Sequence, residues 1–328
     1  MIPTVDKSRQ ASGRDEEARG PDCDAIARAA DLDRSRIECV DEIASTNSEL
    51  MNRPAALDPL APQVLIAARQ SAGRGRRGRS WLSEAPDCLT ISICMHRMRR
   101  PGAAPLVGLP LALGAAVATT VAPHVRGIGL KWPNDLLRDG RKCAGMLVET
   151  RAIGEFERVV AGLGLNWWLP PALARSVADA RADARADTAA DTAADTAAGA
   201  TPERDARPGE RGSMPSPQPP GGLFDASPPQ ALRERIAGEL AGAIIERMRG
   251  FFDAGFGDTA VLWARFDALS GRDVVIHADR ERVLTGRAEG IDRQGALRVR
   301  TADGVVAVAA GEVSARLLAD VVSTGASR

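Results

Sequence analysis

Tyrosine is absent from this 328-residue chain and lysine nearly so, with forty arginines against Lys7, Lys131 and Lys142. A chain that uses arginine for almost every cation keeps a lysine where a compact ammonium serves better than a planar fork. The formal net charge is zero, which argues against a broad basic footprint on nucleic acid. The 5 cysteines are odd in number and include no CxxC pair. Neither a disulfide scaffold nor a structural zinc site is therefore expected, and a reduced cytoplasmic setting is. The first residues are polar and lack the apolar run of a signal peptide. The longest apolar stretch, 106–125, is interrupted by Gly108, Pro110, Gly114 and Pro123. It reads as a buried helix rather than a membrane span.

What is present falls into two ordered regions separated by a biased one. Helices are expected over 24–32, 103–121, 231–252 and 258–269. A further helix should start near Thr46, which has capping-box spacing to Glu49. Strands are expected over 37–43, 63–69, 88–95, 128–132 and 156–165, with a hairpin through 136–149. Residues 1–22 are polar and expected to be disordered. Residues 173–222 carry ADARADARADTAADTAADTAA and then a Pro/Gly/Ser-rich run. With almost no large apolar residues they cannot offset the entropy of ordering, so disorder is expected there too. From 272 to 318 short strands alternate with turn signals, as in a small β-barrel.

Three stretches carry chemistry. GRGRRGRSW at 73–81 combines glycines, which let backbone approach a ligand, with arginine forks suited to carboxylate and phosphate oxygens. By itself such a run is as readily a solvated loop or an RGG-like RNA contact. KWPND at 131–135 ends a strand and holds one of the rare lysines. KCAGMLVE at 142–149 holds another, and GLGLN at 162–166 places glycines at alternate strand positions, a sign of close ligand approach.

In order, STN, Q-x-A-GRGRRGRxW, KWPND, K-x-AG-x-L-x-E and G-x-G-x-N resemble the motif series of the biotin–protein ligase family. The likeness runs over about 36–168 and resumes over about 230–317. It implies an α+β fold: a mixed-sheet catalytic domain of the class II aminoacyl-tRNA synthetase/biotin synthetase type at 23–269, and an SH3-like C-terminal domain at 270–320. A tail follows at 321–328. It also implies a reaction in which biotin and ATP give biotinyl-5′-AMP, and a lysine of a carrier domain then accepts the biotin. The biotin carboxyl carrier domain of acetyl-CoA carboxylase is the partner so implied.

Carried over by position, the resemblance makes Lys131, Arg76 and Arg79 the groups that offset repulsion between the two reacting anions. The biotin side becomes Ser45, Thr46, Asn47, Gln70, Arg74, Gly75, Arg76, Lys131, Gly145, Gly162 and Gly164. The nucleotide side becomes Arg76, Arg79, Trp81, Asn134, Asp135, Lys142, Asn166 and Arg316. Asp135 is the expected ligand for Mg²⁺. Some family members carry an N-terminal DNA-binding winged helix; the short segment before the first strand leads us to expect none here. No membrane contact is expected, and either a monomer or a homodimer is compatible with the sequence. The 173–222 segment falls where the family has a loop over the adenylate, with Leu223 or Phe224 placed to restore it. Trp167 and Trp168 are expected to pack rather than stack on adenine. A lipoate–protein ligase, an RNA-binding module and a biotin-sensing repressor are the rival readings.

Overall fold

The computed structural model describes residues 20–54, 58, 60–78, 81, 88–102, 105–170, 219–278, 281–310 and 313–318. Its elements are α1 (Cys23–Ala30), β1 (Ile37–Ile43), α2 (Thr46–Asn52), β2 (Gln63–Gln70), β3 (Cys88–Met98), α3 (Leu109–Val121), β4 (Ile128–Lys131), β5 (Asp135–Arg138), β6 (Arg141–Ile153) and β7 (Phe156–Asn166). They continue with α4 (Gln230–Ala254), α5 (Thr259–Ala264), β8 (Asp273–Ala278), β9 (Glu281–Ile291), β10 (Leu297–Thr301), β11 (Gly304–Val308) and β12 (Val313–Leu317).

The first seven strands form one mixed sheet in the order β1-β2-β3-β7-β6-β5-β4. Only β1 and β2 run parallel. Alternation sends Val64, Ile66, Ile91, Ile93, Ala161, Leu163 and Met146 to one face, where α1, α3 and α4 cover them. α3 is apolar on every side and buried nearly throughout, as an interior helix must be. No helix among the described residues is long and apolar enough to cross a membrane. Among the described residues, the opposite face is covered where α2 sets Leu50 and Met51 on Leu65, Cys94 and Val160 and where the Trp81 ring lies on Gly164. The site forms beside α2 on this face.

The last five strands form a separate antiparallel sheet, β11-β10-β9-β8-β12, the small all-β unit expected. Its Val274, Ile276, Leu297 and Val299 join the main core. Trp132, 2% exposed, donates its Nε1–H to the carbonyl of Gly295 at 3.1 Å. That bond ties the end of β4 to a turn between β9 and β10.

Several expectations are corrected. α2 is capped by Ser45, whose hydroxyl accepts from the Ser48 amide, not by Thr46. α3 starts at Leu109, behind a 3₁₀ turn at Leu106–Gly108. α5 stops at Ala264 because the chain leaves it to pair with β4: the Leu130 amide donates to Phe266 O at 2.6 Å and the Ala268 amide to Leu130 O at 2.9 Å. Asp22, assigned to a disordered segment, caps α1 by accepting from the Asp24 and Ala25 amides. Cys23 and Cys39 form a disulfide between α1 and β1, a pairing that odd count and spacing do not disclose. The end of the biased segment, 219–222, is ordered, while 171–218 lies outside the described residues.

Candidate functional site

Register brings the glycine motifs together. Across the sheet Lys131 pairs with Asp135, Asp135 with Gly145, Gly145 with Gly164, and Gly164 with Thr90. The adjacent row on the same face is Leu147, Gly162 and Ser92. Directly opposed residues share a face, so three glycines cut a trough with Lys131 and Asp135 at one end and Ser92 near the other. A Cβ on Gly162 would stand 2.2 Å from Asn47 Oδ1, and one on Gly164 would stand 2.3 Å from the Trp81 ring. Both glycines are sterically required by what packs on them.

At the Ser92 end lies a buried polar chain. Thr46, Asn47 and Ser92 are all nearly inaccessible. The Thr46 amide donates to Gln70 Oε1 at 2.8 Å, and Thr46 Oγ1 lies 3.1 Å from the same oxygen. Ser92 Oγ lies 2.7 Å from Thr46 Oγ1 and 2.6 Å from Asn47 Oδ1. Asn47 Nδ2 donates to Glu149 at 2.9 Å and toward Leu147 O at 3.4 Å. A carboxylate only accepts, so Glu149 fixes the Asn47 amide with its oxygen toward Ser92. The Ser92 hydrogen then goes to Asn47. Gln70 Oε1 already takes the Thr46 amide hydrogen, so the Thr46 hydroxyl can turn to Ser92, and its own lone pairs are left to an incoming N–H donor.

The arginine loop is anchored at both ends. Ser71 and Ala72 continue the β1–β2 pairing by donating to Ile43 O and Ala44 O, and the Trp81 amide donates to Gly73 O at 2.9 Å. A side chain on Gly73 would collide with that Trp81 carbonyl. Arg74 Nη2 donates to both oxygens of Glu149, at 2.9 and 2.8 Å. Arg76 Nη1 donates to Asn134 Oδ1 at 3.3 Å, while Asn134 Nδ2 donates to Met146 O at 2.8 Å. The loop is thus joined to the KWPND turn and to β6. The peptide between Trp132 and Pro133 is cis.

The other end of the trough is more open and more ionic. Lys142 Nζ lies 2.5 Å from Asp135 Oδ1 and sits over the Trp81 ring, 5.9 Å from its centroid. Lys131 is 9% exposed at the end of β4. Trp81 Nε1 is buried without a hydrogen bond among the described residues. Residues 219–224 return to seal this end. The Gly221 amide donates to Lys142 O at 2.8 Å, Asn166 Nδ2 donates to Gly221 O at 3.1 Å, and the Leu223 amide donates to Asn166 O at 2.8 Å. Leu223 is fully buried in the core, Phe224 packs against it, and Trp167 is buried as well. Below the trough, burial pushes the Cys143 thiol up to about 12, which leaves it a neutral filler rather than a nucleophile.

Of the residues named from sequence, Ser45, Thr46, Asn47, Gln70, Arg74, Gly75, Arg76, Trp81, Lys131, Asn134, Asp135, Lys142, Gly145, Gly162, Gly164 and Asn166 line this face or the loop beside it. Ser45 contributes by capping α2. Arg79 lies outside the described residues; Arg316 lies on β12, opposite Val275, and its side chain is not described. Ser92 and Glu149 were missed. Ser92 follows Thr90 as polar alternation in an otherwise apolar strand, which is a readable signal. Glu149 ends a quoted motif, but its partners are 75 and 102 residues away.

Comparison with known proteins meets this geometry. Residues 41–166 match the Biotin/lipoate A/B protein ligase family, and residues 269–316 match the Biotin protein ligase C terminal domain. The chain belongs to the biotin protein ligase family. It is 39% identical over 135 residues to Biotin--[acetyl-CoA-carboxylase] ligase of Mycobacterium tuberculosis, a match covering 40% of this chain and 49% of the relative. It is 39% identical over 140 residues to Bifunctional ligase/repressor BirA of Escherichia coli, covering 41% of each. The matched part spans half or less of these relatives. Among solved structures, biotin protein ligase from Aquifex aeolicus in complex with biotin and ATP superposes with a TM-score of 0.58 at 21% identity, covering 86% of this chain and 99% of that one. That likeness establishes the fold.

Proposed function

We propose that this chain activates biotin with ATP and transfers it to a lysine of a biotin carboxyl carrier domain. The observation that carries the substrate is the buried chain Gln70–Thr46–Ser92–Asn47, whose hydroxyl oxygens keep acceptor capacity for an N–H donor. A ureido ring brings two N–H donors and a carbonyl to such a site. A dithiolane brings neither, and a site built for hydrogen bonds rejects a ligand that leaves them unmade. This separates biotin from lipoate within the family.

In the first step a biotin carboxylate oxygen attacks the α-phosphorus and pyrophosphate leaves with the electron pair. Two anions meet in a half-dry trough, so their repulsion dominates the barrier. Lys131 supplies a buried point charge, and Arg74 and Arg76 supply forks at its rim. In the second step the carrier lysine's amine attacks the acyl carbon, AMP departs, and the amine loses a proton. No protein nucleophile enters either step. Arg76, Lys142, Asp135, Trp81, Asn134 and Asn166 are the nucleotide-side contacts, and the family resemblance adds Arg79 and Arg316.

Mg²⁺ would be held through Asp135. The described residues hold no cluster of three metal-ligating side chains, and a single carboxylate plus nucleotide phosphates is the donor set this ion accepts. When bound, it would neutralise charge on the departing pyrophosphate. Incubating the protein with biotin, ATP, Mg²⁺ and a purified carrier domain tests the proposal. The carrier should gain the mass of one biotinyl group at its acceptor lysine, and an unmodified carrier would contradict it.

A further inference from the structure

Arg158 is 2% exposed and makes no ion pair among the described residues. A buried guanidinium without a carboxylate is costly unless its donors are all engaged. Its Nη1 donates to the carbonyl oxygens of Leu50, Met51 and Arg53, at 3.4, 2.9 and 2.5 Å, and its Nε donates to His96 Nε2 at 3.1 Å. Those carbonyls are the C-terminal end of α2, where peptide dipoles leave partial negative charge. Arg151, the cross-strand neighbour of Arg158, donates from Nη1 to Met51 O and to Asn52 Oδ1, both at 3.2 Å. Two cations that would repel each other across the strands are both drawn to one helix end.

The placement matters because α2 is only 7 residues long and carries Thr46 and Asn47 at its other end. Arg158, Val160 and Gly162 lie on the same face of β7, at alternate positions. Asn47 rests on Gly162, Leu50 and Met51 rest over Val160, and the last carbonyls rest on Arg158. The helix lies along the strand, held at one end by a missing Cβ and at the other by a buried cation. An isolated helix this short is not stable in water, so its height over the trough is set by these contacts.

We propose that Arg158 is a positioning residue for the biotin half of the site: through α2 it sets where Thr46 and Asn47 stand over Gly162. This rests on the biotin-ligase reading above, and it predicts an effect confined to one substrate. Among the described residues Arg158 hydrogen-bonds to α2 carbonyls and His96 rather than to the trough, so its loss should leave the nucleotide side as it was.

The test is biotin- and ATP-dependent pyrophosphate exchange with the full chain carrying Arg158→Met or Arg158→Lys. Arg158→Met should raise the biotin KM about tenfold or more, with kcat and the ATP KM within about twofold, and Arg158→Lys should recover part of the loss. In an Asn47→Ala background the same Arg158→Met change should move the biotin KM less than twofold, because coupled residues are not additive. An unchanged biotin KM, equal changes in both KM values, or an additive cycle would overturn the proposal. If Arg158→Met does not fold, the exposed Arg151→Met carries the same prediction at about threefold, and no change there would overturn it. Amide exchange separates the two claims. A wild-type chain without biotin-dependent exchange refutes the ligase reading, whereas α2 amides 48–53 as protected in Arg158→Lys as in the wild type refute the clamp.

Discussion

The two ends of the trough are built differently. The end with Thr46, Asn47, Ser92 and Gln70 is buried, charged only at its edge by the Arg74–Glu149 pair, and made of strands and a short helix within one side of the sheet. The end with Trp81, Asp135, Lys142 and Asn166 is half-exposed, ionic, and closed by a segment that returns at 219–224. A neutral head group demands fixed hydrogen-bond geometry, because each unmade bond in a dry site costs the full desolvation penalty. A triphosphate arrives with its own charge and metal, so a cationic, adjustable surface suffices. The trough is preorganised for one substrate and assembled around the other.

Substitutions can break this contrast, the largest at Lys131, the buried charge beside Asp135. Lys131→Ala should lower the rate of adenylate formation by about 10² or more; single-turnover formation of the adenylate measures it, and an unchanged rate removes Lys131 from the mechanism. Next come two glycines two positions apart on β7. Gly162→Ala drives a methyl into Asn47 and should raise the biotin KM, whereas Gly164→Ala drives one into Trp81 and should raise the ATP KM, each by about 1–3 kcal/mol of overpacking. Equal effects of both on both substrates would dissolve the distinction between the ends. Ser92→Ala strips a buried acceptor of its donor and should weaken biotin binding by about 1–3 kcal/mol, seen by calorimetry without nucleotide.

The smallest effect concerns the layer beneath. Burial holds the Cys94 thiol up at about 11 and Cys143 at about 12. Neither should react with iodoacetamide in the native protein near neutral pH, and both should after unfolding. Above about pH 8.5 an unfolded chain releases thiol protons that these two retain. The native state then binds more protons, so stability should fall as pH rises through that range. A melting temperature flat from pH 8 to 10 would deny their burial.

Most strands and helices were legible because alternation and apolar periodicity are local. The motifs gave the trough because its glycines and lysines recur at short spacing along β4 to β7. What was not legible depends on distance or on one-residue choices. Ser45 and Thr46 are equally good caps by composition, and only the pull of Gln70 and Ser92 on Thr46 turns its hydroxyl into the site. The Cys23–Cys39 pair and the Arg74–Glu149 pair need the fold to bring them together. The ordered turn at 219–222 belongs in composition to the biased segment before it, yet it completes the ladder beside Lys142.

The central claim is that the buried end of the trough selects a ureido head group for activation. ATP–pyrophosphate exchange, run in parallel with biotin and with lipoate as the carboxylate, tests it most directly. Exchange driven by biotin and not by lipoate is the predicted result; exchange driven by lipoate, or by both equally, would contradict it.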